Sequence, residues 1–539
     1  MIAGKLLRSV SAPEAASGQD RVLFQGSARS LSMMKSIAVV LTLLLAAGCA
    51  SLPEEYPRSA STAFPDYLDT SIGRHFEEAA EQHPGQSGFA IVRDGRNAFT
   101  ARIAMVDLAE KSLDAQYYIW EADATGWILG ERIIQAADRG VRVRLLIDDI
   151  TLAGRDAGVA ALDAHPNIEV RVFNPFANRD RRGIDFVIDL DRVNHRMHNK
   201  ILVVDNALAI VGGRNIGNHY FGVATDANFR DLDIAAAGPV VREVSGVFDY
   251  FWNGDWAVPI SALVDRPYTE KDLKTTRDTV RELILEENYP HPLDEDVDAL
   301  HGELDSIRDQ FIWAPGLMVW DDPANIEKGI VEGTMLMQLR RKLDSLQEEL
   351  LIESAYFVMQ DRAIETLRGL NERGVRVRVM TNSLASNDVV AAHAGHAKRR
   401  EELLETGVEL YEMRPDAGVI QKKVISGESN AALHTKALVF DRDSVFIGSF
   451  NLDPRSASIN TEAGLYVEST ELAGQVIDYM DEGVLPENSY RVLLDEDGEL
   501  LWVTVIDGVE VQFHQEPETG FWDRFVSGFI QMLPVEHQL

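Results

Sequence analysis

One pattern occurs twice in this chain, and its duplication limits what the chain can fold into. His198-Asn199-Lys200 is followed by Asp205, and His434-Thr435-Lys436 by Asp441. Each copy then reaches a turn of small residues ending in asparagine, Gly212-Gly213-Arg214-Asn215 and Gly448-Ser449-Phe450-Asn451. His198 to His434 and Asn215 to Asn451 are both separations of 236 positions, so the register holds through the motif. Upstream, the segment ending Tyr117-Tyr118-Ile119-Trp120 and the run Arg139-Gly140-Val141-Arg142 answer to the segment ending Ser354-Ala355-Tyr356-Phe357 and the run Arg373-Gly374-Val375-Arg376. The chain is therefore a duplicated domain. In each copy a strand, an amphipathic helix stopping at Gly140 or Gly374, a second strand and the motif strand alternate. That order predicts an α/β/α sandwich, helices over a mixed sheet, with two pseudo-symmetric halves sharing one active site.

Strand geometry says what such a motif is for. Side chains alternate faces along a strand, so His198 and Lys200 project together, as do His434 and Lys436. An ammonium beside an imidazole can hold a phosphate, the lysine taking the charged oxygens and the histidine reaching phosphorus or a bridging oxygen. Asn215 and Asn451 would return from their turns as neutral amide donors to the phosphate. Histidine, with an unperturbed pKa of about 6.5, serves as nucleophile when neutral and acid when protonated. Asp205 and Asp441 lie five positions beyond each lysine and point to the opposite face, so they belong to the motif in an organising role. An imidazole also needs a carboxylate to orient it. Asp231 and Glu462, each just before an apolar strand, are the candidates. Two histidines with two lysines make a poor ligand set for a divalent cation, so neither metal nor other cofactor is expected.

These motifs, with the words His165-Pro166-Asn167-Ile168-Glu169-Val170-Arg171, Arg196-Met197-His198 and Asn451-Leu452-Asp453-Pro454-Arg455-Ser456, resemble the phospholipase D superfamily in its bacterial cardiolipin synthase C branch. The likeness runs from about Ser71 to the C-terminus. It implies transfer of a phosphatidyl group from a donor phospholipid to an alcohol such as phosphatidylglycerol. It also implies His198 as nucleophile, His434 as general acid, and Asp231 rather than Asp233 as orienting carboxylate. Ala355 and Asn218-His219 depart from the branch pattern and leave the acceptor open. A phospholipase D hydrolase would share every catalytic residue. A nucleic-acid phosphodiesterase is disfavoured by a net charge of -34, which opposes polyanion binding. A non-enzymatic lipid-binding lipoprotein is disfavoured by both motifs being intact.

The N-terminal region gives a cellular address. Met33-Met34-Lys35-Ser36, an apolar run from Ile37 to Leu45, and Ala46-Ala47-Gly48-Cys49 read as a bacterial lipoprotein leader, lipidated at Cys49. Cys49 is the only cysteine, so no intramolecular disulfide is possible. Ala50 after it points to the outer membrane, facing the periplasm. Residues 1–32 read as a mis-called start or extension, outside fold reasoning.

The expected organisation is then a leader over 33–49, a polar tether over 50–70, halves over 71–260 and 331–480, and a connecting segment of helices and loop over 261–330. An extension over 481–539 closes the chain. In it Phe521, Trp522, Phe525, Phe529 and Met532 recur at near-helical spacing. Such a stripe packs on its own domain more often than it dips into lipid, and both placements stay open. Two basic stretches, Arg179-Asp180-Arg181-Arg182 and His393-Ala394-Gly395-His396-Ala397-Lys398-Arg399-Arg400, could line the mouth of the site or be solvated. With both motifs in one chain, a monomer should be active on phospholipid at a membrane surface.

Overall fold

A computed structural model describes residues 51–531 except 54, 288, 291–301, 303–304, 331 and 422–428. The leader with Cys49, residues 1–32 and Met532 lie outside the described residues. The first half supplies β1 (Ser87–Val92), β2 (Ser112–Tyr117), β3 (Arg142–Asp148), β4 (Ile168–Phe173), β5 (Lys200–Val204), β6 (Leu208–Gly212), β7 (Ala227–Arg230), β8 (Asp233–Ala237) and β9 (Ala257–Pro259). After it come β10 (Ile312–Ala314), β11 (Gly316–Trp320), β12 (Glu349–Ser354), β13 (Arg376–Asn382), β14 (Glu409–Met413), β15 (Asn430–Leu433), β16 (Lys436–Phe440) and β17 (Ser444–Gly448). The last strands are β18 (Ala463–Glu468), β19 (Ser489–Leu494), β20 (Leu500–Ile506) and β21 (Val509–Phe513).

Two sheets repeat one order. The first runs β10-β1-β8-β6-β5-β2-β3-β4-β9 and the second β11-β18-β17-β16-β12-β13-β14-β19-β20-β21. Without β10 in one and β20 and β21 in the other, the two orders coincide. In each, three strands are parallel (β2, β3 and β4; β12, β13 and β14) and the motif strand, β5 or β16, is antiparallel to the first of them. Both motif strands are buried along their whole length, which their Val, Leu, Ile and Phe content permits only between two covered faces. Between the sheets, Ile201, Val203 and Val211 meet Ala437, Val439 and Ile447 in one core, completed by the helices Pro239–Asn253 and Thr470–Gly483. Helices on the outer faces close two further cores. Gly140 at φ +99° and Gly374 at φ +84° end the helices Ala124–Asp138 and Asp361–Glu372, a conformation glycine adopts without strain.

Three segments differ from expectation. The stretch read as a tether is docked from Arg58 onward. Its carbonyls satisfy buried arginines, Ser61 accepting from Arg144 (2.9 Å) and Ser59 from Arg171 (2.7 Å). The connecting segment does carry a helix, Glu270–Glu287, but it also holds β10, paired with β1, and β11, paired with β18. One short run thus passes from the edge of one sheet to the edge of the other. The C-terminal extension is built into the second sheet through β19, β20 and β21.

Candidate active site

Each histidine hangs from the other half of the chain. The His198 amide donates to the Thr461 carbonyl (2.9 Å), and the His434 amide to that of Arg230 (2.8 Å). The latter contact continues the parallel pair β7 and β15, where Leu433 lies opposite Arg230. The residue after each acceptor is an acid. Glu462 Oε2 lies 2.8 Å from His198 Nδ1, and Asp231 Oδ2 lies 2.7 Å from His434 Nδ1. Both expected carboxylates therefore sit on imidazoles, crosswise, each half orienting the histidine of the other.

The small-residue turns make room for these acids. A Cβ on Gly213 would lie 2.1 Å from Asp231 Oδ1. At the matching position of the second half, the Ser449 hydroxyl donates to Glu462. Lys200 and Lys436 are each 1% exposed, and their ammonium groups donate to the carbonyls of His198 and His434, both at 2.5 Å. Tyr118 stands edge-on to His198, ring centres 4.9 Å apart, and Tyr220 edge-on to His434 at 5.1 Å.

The asparagines part company. Asn215 donates to the Tyr220 hydroxyl (2.9 Å) and accepts from the Ile119 amide (3.1 Å), so its amide braces the ring beside His434 instead of standing free for phosphate. Asn451 Oδ1 is buried and finds no partner among the described residues. Asp205 accepts the amides of Glu110, Lys111 and Ser112 at 2.8–3.0 Å, and Asp441 those of Gln347, Glu348 and Glu349 at 2.8–3.0 Å. Each lies beyond the far end of its motif strand, about 16 Å along the chain from the lysine at 3.3 Å per residue. Motif members without a phosphate contact, they staple the start of the neighbouring strand. Asp233 is held between Arg102 and Arg214.

Most of the charge in the two basic stretches is committed to ion pairs, with Arg181 left exposed. His393 pairs with Glu516 and His396 with Glu412, both buried. Arg179 and Arg182 are bound to Asp149 and Asp156. The acids that pair with them come from other segments of the chain, which composition alone does not reveal.

The two half-sites differ electrically. Burial, then the neighbouring Lys200 and Lys436, holds His198 well below its ordinary value. Burial also lowers His434, with Lys436 adding to the effect, but Asp231 opposes it through charge and hydrogen bond. Burial pushes Glu462 up to about 7, against the pull of Lys200, whereas His434 and Lys436 overcome burial at Asp231 and hold it below the usual carboxylate range. Burial brings Lys436 down to about 8 and Lys200 well down. The centre thus pairs one neutral imidazole beside a near-neutral carboxyl with one imidazole beside an ionised carboxylate.

Sequence reasoning missed Tyr220, Ser449 and Phe229, whose ring lies 5.1 Å from that of His434, as parts of this site. Tyr118 and Tyr356 did stand in the upstream repeat, and Tyr356 donates to Asp388 at 3.0 Å beside Lys436.

Two in-register half-domains of one chain, closing over one buried histidine pair, define the phospholipase D class. Residues 103–252 and 339–483 match the family described as cardiolipin synthase, PLD-like domain. Cardiolipin synthase C of Escherichia coli (strain K12) is 39% identical over 465 residues, 84% of this chain and 97% of the relative. An uncharacterized protein of Helicobacter pylori (strain ATCC 700392 / 26695) is 29% identical over 513 residues, covering 93% and 99%. Phosphatidylserine synthase of Haemophilus influenzae Rd KW20 shares the fold, with a TM-score of 0.55 at 15% identity over 86% of this chain and all of that one. The chain belongs to the cardiolipin synthase family of PLD-like proteins.

Proposed function

We propose that the chain is a phosphatidyltransferase that moves a phosphatidyl group from a donor phospholipid to an alcohol such as phosphatidylglycerol. The observation that carries this reading is the pair of buried imidazoles with each Nδ1 committed to a carboxylate, which leaves both Nε2 atoms for the substrate. His198, the more strongly depressed, is the nucleophile: its Nε2 attacks phosphorus and forms a phosphohistidine while the headgroup oxygen departs. His434, supported by ionised Asp231, gives that oxygen its proton. Neutral again, it takes the proton of the incoming alcohol, whose oxygen displaces Nε2 of His198 and completes the transfer. Lys200 and Lys436 face the charge that gathers on the non-bridging oxygens, in a site too dry for water to screen them. Asn451 would join them through its amide nitrogen, the donor end of its side chain, and Asn215 acts through Tyr220.

The centre is complete within one chain, which supports activity of a monomer. No helix among the described residues is long and apolar enough to cross a membrane; the membrane attachment we infer, from the leader ending at Cys49, is a lipid on that residue, with the domain facing the periplasm from the outer membrane. Replacing Cys49 by Ser should release active protein from the membrane fraction.

The direct test incubates the protein with phosphatidylethanolamine and phosphatidylglycerol in mixed micelles and identifies products by mass spectrometry. Cardiolipin with free ethanolamine, absent with His198→Ala, is expected. Phosphatidic acid alone would make water the acceptor, and neither product overturns the reading.

A further inference from the structure

The C-terminal helix Phe521–Gln531 faces the opposite way from a core-packing stripe. Trp522, Phe525 and Phe529 are 70%, 53% and 52% exposed, while Ser527 is buried at 3%. The helix packs on Val390–Ala397, and the chain just before it is locked there by Glu516, 3.1 Å from His393 and 2.9 Å from Arg400. Val390–Ala397 starts two residues after Asp388, the acceptor for Tyr356 whose charge acts on His434 and Lys436. The helix that carries these aromatics therefore packs on an element that begins beside the catalytic centre.

The first half offers a counterpart. Val187, Ile188 and Leu190 are 83%, 54% and 46% exposed in the segment leading from β4 to His198, a segment fixed at its end by His195 on the Ile459 carbonyl (2.7 Å). The segment from β4 and Val390–Ala397, on which the C-terminal helix packs, leave their sheets at the same end, whereas Phe521–Gln531 itself follows β21, which runs the other way. Tyr117 at the end of β2 pairs with Lys200, and Ser354 at the end of β12 with Lys436. The strands parallel to these, β4 and β13, end on the histidine side too.

We propose that these two apolar segments form one rim that seats the catalytic face on a lipid bilayer at the boundary of headgroups and acyl chains, where Trp and other apolar side chains partition. The inference rests on the phospholipid reading of the substrate, whose phosphodiester lies at that depth. Exposed apolar groups concentrated on one edge mark an interaction surface. A chain of net charge -34 is repelled by anionic lipid, so the rim holds by apolar insertion.

The test floats the full chain, carrying Cys49→Ser to remove the acyl anchor, on phosphatidylcholine vesicles. Trp522→Asp with Phe529→Asp, and separately Val187→Asp with Ile188→Asp, should each weaken vesicle binding about tenfold or more. Binding should be equal at low and high salt. Turnover of vesicle lipid should fall in both double variants, while turnover of a short-chain phospholipid dissolved as monomers stays unchanged. The proposal is overturned if the parent does not float, if neither double variant binds more weakly, if binding requires anionic lipid, or if monomeric substrate loses as much turnover as vesicles. Flotation needs no turnover, so a protein that floats yet transfers nothing sinks the functional reading and leaves the rim standing.

Discussion

Replacing Asp231 by Asn separates the two histidines. The carboxylate lies 2.7 Å from His434 Nδ1, fully buried, and favours the imidazolium that donates a proton to the leaving group. A hydrogen bond to a charged partner contributes about 1.5–3 kcal/mol, which corresponds to a loss of roughly ten- to a hundredfold in kcat at neutral pH. The sign on the pH axis follows from the same contact. Activity on the alkaline side needs protonated His434, and Asp231 raises its proton affinity, so the alkaline limb of kcat against pH should move to lower pH. Glu462→Gln is the contrast. Its carboxyl is already pushed up to about 7, so below that pH the amide resembles the group it replaces and the loss should be smaller. The assay is phosphatidyl release across the range in which imidazole titrates. An alkaline limb that stays in place in Asp231→Asn, or equal losses in both variants at pH 6, refutes the assignment of acid and nucleophile.

Glu462 also sets a stability trend. Its folded value of about 7 lies above its ordinary 4.5, so its contribution is present below 4.5 and is lost as pH rises to 7. Glu462→Gln should therefore gain up to about 3 kcal/mol relative to the parent between pH 4 and pH 8, read from urea midpoints at the two values. His198→Ala and His434→Ala should each cost at least a hundred- to ten-thousandfold in turnover with unchanged circular dichroism; turnover retained in both would remove the site. Gly213→Ala forces a methyl to 2.1 Å from Asp231 Oδ1, so turnover should fall as in Asp231→Asn, whereas Gly246→Ala, with open space at its Cβ, should be silent. Asp205→Ala strands three amides at the start of β2 and should cost about 3 kcal/mol in thermal unfolding. Its pH profile should keep the parent shape.

Much of the fold was legible because it is local and repeated. The motif strands, the helices stopping at Gly140 and Gly374, and the shared strand order follow from periodicity written twice. The edge strands β10 and β11 were not, since three- to five-residue runs inside charged sequence carry little period of their own. The aromatic stripe at 521–531 announced a helix but not its facing, because a period says which residues share a face and not which neighbour that face meets.

For the site, the residue types alone determined the chemistry: two histidines, two lysines and two acids suited to a phosphodiester. Tertiary structure decided their partnership. Glu462 serves a histidine 264 positions away and Asp231 one 203 positions away, so each pair exists only once the two halves have closed. It also decided which carboxyl is ionised. Spacing along a chain fixes covalent neighbours and strand faces, whereas a proton's affinity depends on the depth of burial and the charges gathered around it, and both arise from residues distant in sequence.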